Sequence, residues 1–272
     1  MADNRAIGVF DSGLGGLTVV SELLRFLPHE SIVYFGDTGR VPYGTRSRET
    51  IKKYALEDEA FLLKNDVKLI IAACGTVSSV ASDLASELPV PYFEVVSHSA
   101  YAAAKTTKNG KIGVLGTAAT VKSGKHESYI KEILPEAQVA ASACSLFVSL
   151  VEEGWITDDD PVVLETVKRY LEPIVEAGAD TVILGCTHFP VLKGAIKMVV
   201  GDDVTLIDAG TATALAVKEF LEANNLSAQK DNLPVHKFFA SDKSHSFCNT
   251  ATRLLGKKLS DEDIKQVDLS SL

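Results

Sequence analysis

Short apolar runs rich in β-branched residues alternate along this chain with longer stretches in which apolar residues recur every three or four positions. The short runs have the character of strands buried on both faces; the longer ones have the period of helices packed against them. The pattern predicts strands at 6–10, 31–35, 68–73, 92–96, 111–115, 138–141, 181–184, 204–208 and 236–240. It predicts helices at 17–26, 47–65, after Thr76 to about 87, 98–105, 125–134, 147–153, 161–176, 191–200, 211–223 and 244–255. Ser47 is placed to cap the second helix, and the acidic run 158–160 before Pro161 reads as a capping loop rather than a metal site. Strand and helix alternating throughout imply an α/β protein with parallel sheets.

A coarse echo runs through the chain. Asp11 and Ser12 follow the first strand of one half, as Gly116 and Thr117 follow the first strand of the other. Cys74, Gly75 and Thr76 follow a later strand, as do Cys186 and Thr187. Ligands of open α/β sheets bind beyond the carboxyl ends of strands. Two pseudo-symmetric parallel-sheet α/β domains facing each other would therefore set the two thiols on opposite walls of a central active-site cleft.

Composition narrows the classes. With 272 residues, 46% of them hydrophobic, the chain can bury a large core. A net charge of −9 argues against nucleic acid as a partner and offers no basic patch to a membrane. No apolar run is long enough to span a bilayer, and the start of the chain lacks a signal-peptide pattern. The four cysteines, Cys74, Cys144, Cys186 and Cys248, are scattered without a CxxC pair, as expected of reduced thiols in the cytoplasm.

Cys186 sits between a strand and a helix, where free backbone N–H groups favour a thiolate, and His188 stands two residues on. Two thiols facing one carbon can take a proton from one face and return one to the other, because a cysteine pKa can be brought near the operating pH. Asp11 could orient Cys74, and the hydroxyls of Ser12, Thr76, Thr117, Thr120 and Thr187 could hold a carboxylate. Each residue also has a plainer reading. A cysteine after a buried strand is ordinarily core, which is how Cys144 and Cys248 read. Asp11 and Ser12 could cap a helix, and Glu152 could be a solvated helix end. Glycines 13, 15 and 16 suggest a phosphate cradle but do not spell G-x-G-x-x-G. No strand-end loop centres on the lysine that a pyridoxal-phosphate enzyme would need. A silent protein that binds an acidic metabolite remains the alternative from another class.

Taken together, residues 11–18 (DSGLGGLT), 34–38 (YFGDT), 42–44 (PYG), 74–76 (CGT), 147–154 (FVSLVEEG) and 185–190 (GCTHFP) resemble the motifs of glutamate racemases, in the aspartate/glutamate racemase superfamily. The resemblance runs in order from residue 6 to about 255. It implies a racemase without cofactor or metal, a small-molecule substrate (L- or D-glutamate), supply of D-glutamate to peptidoglycan, and a homodimer. By position it makes Cys74 and Cys186 the acid and base, assisted by Asp11, Glu152 and His188. It makes Asp11, Ser12, Tyr43, Gly44, Gly75, Thr76, Thr187 and His188 substrate contacts, with Thr117 and Thr120 joining them. It divides the chain into a domain of residues 1–97 plus 208–272 carrying Cys74, and a domain of 98–207 carrying Cys186. Two departures stand out. Gly75 replaces the family's usual Asn, removing an amide expected to contribute about 0.5–1.5 kcal/mol. Ser145 and Ser149 replace prolines, which is expected to shift Glu152.

Overall fold

The computed structural model describes residues 2–81, 88–243 and 247–269, and they form two sheets. The first contains β1 (Ala6–Asp11), β2 (Ile32–Gly36), β3 (Val67–Ala72), β4 (Tyr92–Glu94), β9 (His236–Ala240) and β10 (Ile264–Gln266), in the order β10-β9-β2-β1-β3-β4. The second contains β5 (Lys111–Gly116), β6 (Gln138–Ala143), β7 (Thr181–Leu184) and β8 (Thr205–Asp208), in the order β6-β5-β7-β8. Every pairing is parallel. Parallel strands need crossovers, and the crossovers bury both faces. Accordingly β2 and β3 are buried at every position, and β1 at all but Ala6.

The echo in the sequence is an echo in topology. The order β2-β1-β3-β4 in one sheet matches β6-β5-β7-β8 in the other. In each, the chain direction of the strand order reverses beside the first strand, between β1 and β3 and between β5 and β7. Loops leaving those strands diverge and open a crevice. The loop after Asp11 and the turn at Cys74 flank one crevice; Thr117 and Cys186 flank the other.

The chain crosses between sheets at matching places. After β4 it enters α4 (Val95–Thr106), which packs on α6 (Lys125–Ile133), β7 and β8. After β8 it enters α10 (Ala209–Ala223), which packs on α4 and on α1 (Leu17–Phe26) of the first half. Each crossing helix is capped by a carboxylate at the last residue of the strand before it. Glu94 accepts from Val96 N at 2.6 Å and Ser97 N at 2.8 Å, and Asp208 accepts from Thr211 N at 3.1 Å. The main apolar core runs through both halves, from Ile7 and Val20 to Val182 and Ile196.

Several boundaries differ from the sequence-based expectation. β4 ends at Glu94 rather than at 96, because the Glu94 cap turns the chain into a helix there. A helix not anticipated, α5 (Ala118–Ser123), precedes α6, from which Gly124 separates it with a φ of 66°. The helix expected at 191 begins as a 3-10 turn, Phe189–Leu192, before α9 (Lys193–Val200). β10 is a three-residue edge strand too short to show a period. The helix after Cys74 is α3 (Gly75–Val80); the part expected to reach 87, and residue 244 at the start of the last helix, lie outside the described residues. That last helix is α11 (Phe247–Leu255). The first sheet draws on residues 6–94 and 236–266, the second on 111–208.

Candidate active site

A cavity of about 340 Å³ lies between the carboxyl ends of the two sheets. The first half lines it with Ser12, the segment 41–45 and residues 74–76; the second with Thr117, one face of a helix, and residues 185–188. That helix is α7 (Ser145–Glu153), and its lining residues Ser145, Val148, Ser149 and Glu152 have the i, i+3, i+4, i+7 spacing of a single face. Among the described residues the lining contains no lysine or arginine, so a bound carboxylate would meet hydroxyls, main-chain N–H groups and His188.

Cys74 is the cap residue of α3 and is 5% exposed. Its Sγ donates to Ser12 Oγ at 3.3 Å. Burial pushes the thiol up to about 12, and the nearby Asp11 carboxylate adds to the effect. Asp11 itself is buried at the end of β1. Its Oδ2 accepts from Gly13 N at 3.0 Å, while Oδ1 has no hydrogen-bond partner among the described residues. Burial raises the Asp11 carboxyl above its usual range, and His188 works in the opposite direction.

The second thiol has different company. Cys186 Sγ lies 4.0 Å from His188 Nδ1, and His188 Nε2 lies 3.2 Å from Glu152 Oε1. Burial alone would lower the imidazole pKa. Hydrogen bonds to Cys186 and Glu152, reinforced by the charges of Cys186 and Asp11, overcome it and raise His188 to about 10. At neutral pH both ring nitrogens therefore carry protons, one directed at sulfur and one at the carboxylate. A cation so placed stabilises negative charge on the sulfur.

The two halves touch around the cavity. Thr18 Oγ1 donates to the carbonyl of Thr187 at 2.8 Å, and the hydroxyls of Thr76 and Thr117 are hydrogen-bonded at 3.1 Å. The cysteine loops also meet: a Cβ built on Gly75 would lie 2.4 Å from the carbonyl oxygen of Gly185. An Asn at 75 would force one loop away from the other. Gly75 thus does more than omit an amide, which was all the sequence suggested; it permits the two loops to meet.

Of the residues expected at the site, Ser12, Tyr43, Gly44, Cys74, Gly75, Thr76, Thr117, Glu152, Cys186, Thr187 and His188 line the cavity. Asp11 and Thr120 do not. Asp11 lies beneath the loop that Ser12 begins, and Thr120 Oγ1 stands behind Thr117 Oγ1 at 2.9 Å. Tyr43 lines the cavity, but its hydroxyl is shared between Asp37 and Asp58, the latter at 3.1 Å. Arg40 completes that buried network with ion pairs to Asp37 at 2.5 Å and Asp58 at 3.1 Å. Ser145, Val148 and Ser149 were not expected as lining residues, although the spacing of α7 carries the signal. The glycine loop is no phosphate cradle, because the side chains of Thr187 and His188 fill the space beside Gly15. Cys144 is fully buried, with Sγ donating to Ser142 O at 3.5 Å, and Cys248 lies outside the cavity near Asp261. Among the described residues no group of three or more His, Cys, Asp or Glu is arranged to hold a metal ion, and no helix is long and apolar enough to cross a membrane.

Comparison with known proteins agrees with this geometry. Residues 12–217 match the family model for Asp/Glu/hydantoin racemases. A glutamate racemase from Geobacter metallireducens is 44% identical over 98% of both chains. The crystal structure of a glutamate racemase from Bacillus anthracis superposes with a TM-score of 0.91 at 39% identity, covering 98% of each chain. That of the Francisella tularensis enzyme, in complex with D-glutamate, also gives 0.91, at 35% identity over 99% of this chain and 100% of that one.

Proposed function

This chain belongs to the Asp/Glu/hydantoin racemase family, and from that premise we propose that it is a glutamate racemase in which Cys74 and Cys186 are the paired acid and base. It is an isomerase, as its full-length relatives are. The observation that carries the two-thiol reading is the placing of Cys74 and Cys186, from different sheets, in the lining of one cavity whose walls meet at Gly75 and Gly185.

The reaction follows from the surroundings of each thiol. With Cys186 as thiolate beside the His188 cation and Cys74 as thiol, the sulfur of Cys186 removes the Cα proton. The Cα–H electron pair passes into the α-carboxylate as an enediolate. Cys74 then delivers its proton to the opposite face, becoming the thiolate. For the other enantiomer the roles reverse. Charge accumulates on the carboxylate during the reaction, so hydroxyls and N–H groups of Ser12, Thr76, Thr117 and Thr187 act where they matter most. Asp11, Glu152 and His188 are positioning groups for the two sulfurs. Contact between the halves excludes water from the carbanionic centre.

No cofactor enters this scheme. Glutamate is favoured as substrate by the names of relatives at 35–44% identity over nearly the whole chain. The same likeness supports a cytoplasmic homodimer whose D-glutamate enters peptidoglycan.

The test is proton NMR of L-glutamate with the purified protein in D2O, without added cofactor, beside an L-aspartate control. Loss of the α-proton signal with appearance of D-glutamate is expected. Exchange of aspartate alone would move the substrate and keep the mechanism. Tight glutamate binding without exchange would overturn the reading in favour of a binding protein.

A further inference from the structure

Glu152 is the last link of the chain from Cys186 through His188, yet little holds its carboxylate. The side chain is 47% exposed, and His188 is its sole hydrogen-bond partner among the described residues. Its position therefore depends on the backbone of α7. The start of α7 is held inside its own half, where Phe147 packs edge-on against Phe189 at 5.1 Å and Tyr170 at 5.3 Å. Its end is held from the other half. Arg253, on α11, donates from Nη1 to the carbonyl of Val151 at 3.0 Å.

A second observation marks the same contact. α7 stops at Gly154, whose φ is 84°. The left-handed turn requires glycine, and a Cβ there would lie 2.8 Å from Arg253 Nη2, so the guanidinium rests directly against this turn. The Val151 carbonyl also accepts from Gly154 N at 3.1 Å, and Trp155 N closes the turn on Leu150 O at 2.8 Å. The guanidinium thus sits on the last turn, where a positive charge complements the negative end of the helix dipole. One residue beyond the carbonyl it holds, Glu152 reaches His188.

We propose that Arg253 is a positioning residue for the Cys186 centre: a guanidinium from one half of the molecule fixes the helix end from which Glu152 holds His188 in the other. The hydrogen bond crosses between halves, so it forms together with the contacts that close the cavity. Closure and assembly of the Cys186 centre are linked through it. This inference rests on the two-thiol reading for its catalytic consequence but not for its structural one.

The experiment is a double-mutant cycle of Arg253→Met and Glu152→Gln, with Arg253→Lys as the conservative variant. It has two readouts: the pH profile of kcat, and titration of the His188 imidazole by 15N NMR. Arg253→Met should lower kcat about fivefold, the scale of coupling through one neighbour, and shift the basic limb and the His188 titration to lower pH. Arg253→Lys should recover most of both. In the Glu152→Gln background Arg253→Met should add nothing. Equal thermal unfolding temperatures establish that the variants are folded. Independent, multiplicative losses in the double variant, or an unmoved His188 titration in Arg253→Met, would overturn the proposal. A wild-type protein that exchanges no α-proton would defeat the racemase reading separately, while the imidazole titration would still decide whether Arg253 acts through Glu152.

Discussion

Cys74 and Cys186 follow equivalent strands, β3 and β7, of two sheets with the same strand order, and both are nearly buried, at 5% and 8% exposure. Their neighbours are not equivalent. Burial first and the nearby Asp11 carboxylate second keep Cys74 a thiol, against the opposing pull of the Ser12 hydroxyl at 3.3 Å. Cys186 has an imidazole raised to about 10 and held by Glu152. The repeated fold makes the two sulfurs face one cavity; the unrepeated side chains give them different surroundings. A two-base racemase needs both features, because one sulfur must begin as acid while the other begins as base.

The largest effect should come from erasing either side. Cys74→Ser or Cys186→Ser should lower racemisation by roughly a thousandfold or more, since general acid–base groups contribute on the order of 10²–10⁴. Near-normal turnover in either variant would end the two-thiol mechanism.

Next comes the feature that distinguishes the sides. His188→Asn should cost on the order of a hundredfold and abolish the basic limb of the pH–rate profile, which in the native protein should fall near pH 10. The sign for stability is fixed by the same group. Its folded pKa is raised above the ordinary 6.5, so its contribution is complete below that value and is lost as pH climbs towards about 10. The buried His126 shows the opposite. Burial lowers it to about 4, so the unfolded chain takes up a proton first, and stability is lost as pH falls from 6.5 towards 4. Urea unfolding across pH, with His188→Asn and His126→Gln, would separate the two. An unchanged alkaline slope in His188→Asn would refute the raised imidazole.

A smaller change should act on both sides at once. Gly75→Asn puts a side chain where the Gly185 carbonyl stands and should part the cysteine loops. The expected result is a fall in kcat of about tenfold, the loss of positioning at a closed site, with faster alkylation of both Cys74 and Cys186 by iodoacetamide. A variant with native kcat and native alkylation rates would show that the contact at Gly75 does not set closure.

Tyr43→Phe should do least to the chemistry. Its hydroxyl serves Asp37 and Asp58 rather than the cavity, so the variant should lose about 1–3 kcal/mol of stability through unsatisfied buried carboxylates while keeping most of its kcat. A large rise in KM with unchanged stability would instead place the hydroxyl on substrate.

Much of this was legible along the chain because it is local. Strand-ending cysteines, the histidine two residues after one of them, and the repeated order of loops follow from a period of two or 3.6 and from the chemistry of adjacent residues. The misses share a different cause. Asp11 and Ser12 are neighbours in sequence, yet only Ser12 reaches the cavity, because the chain turns between them. Tyr43 lies on the wall with its hydroxyl directed away, a choice made by Asp58 on another helix. In the sequence Ser145 and Ser149 read only as lost prolines, whereas α7 turns that face inward to the cavity.

By itself the sequence determined the α/β class, the parallel strands, the two thiols and the pairing of Cys186 with His188, since propensity, periodicity and short-range chemistry are written in neighbouring residues. Only the tertiary structure decided that Gly75 would rest against Gly185, that Glu152 rather than a nearer residue would hold His188, and that Arg253 would cap the helix carrying it. Those contacts join residues 36 to 110 positions apart, and no local energy term distinguishes them until the core has brought the two sheets together.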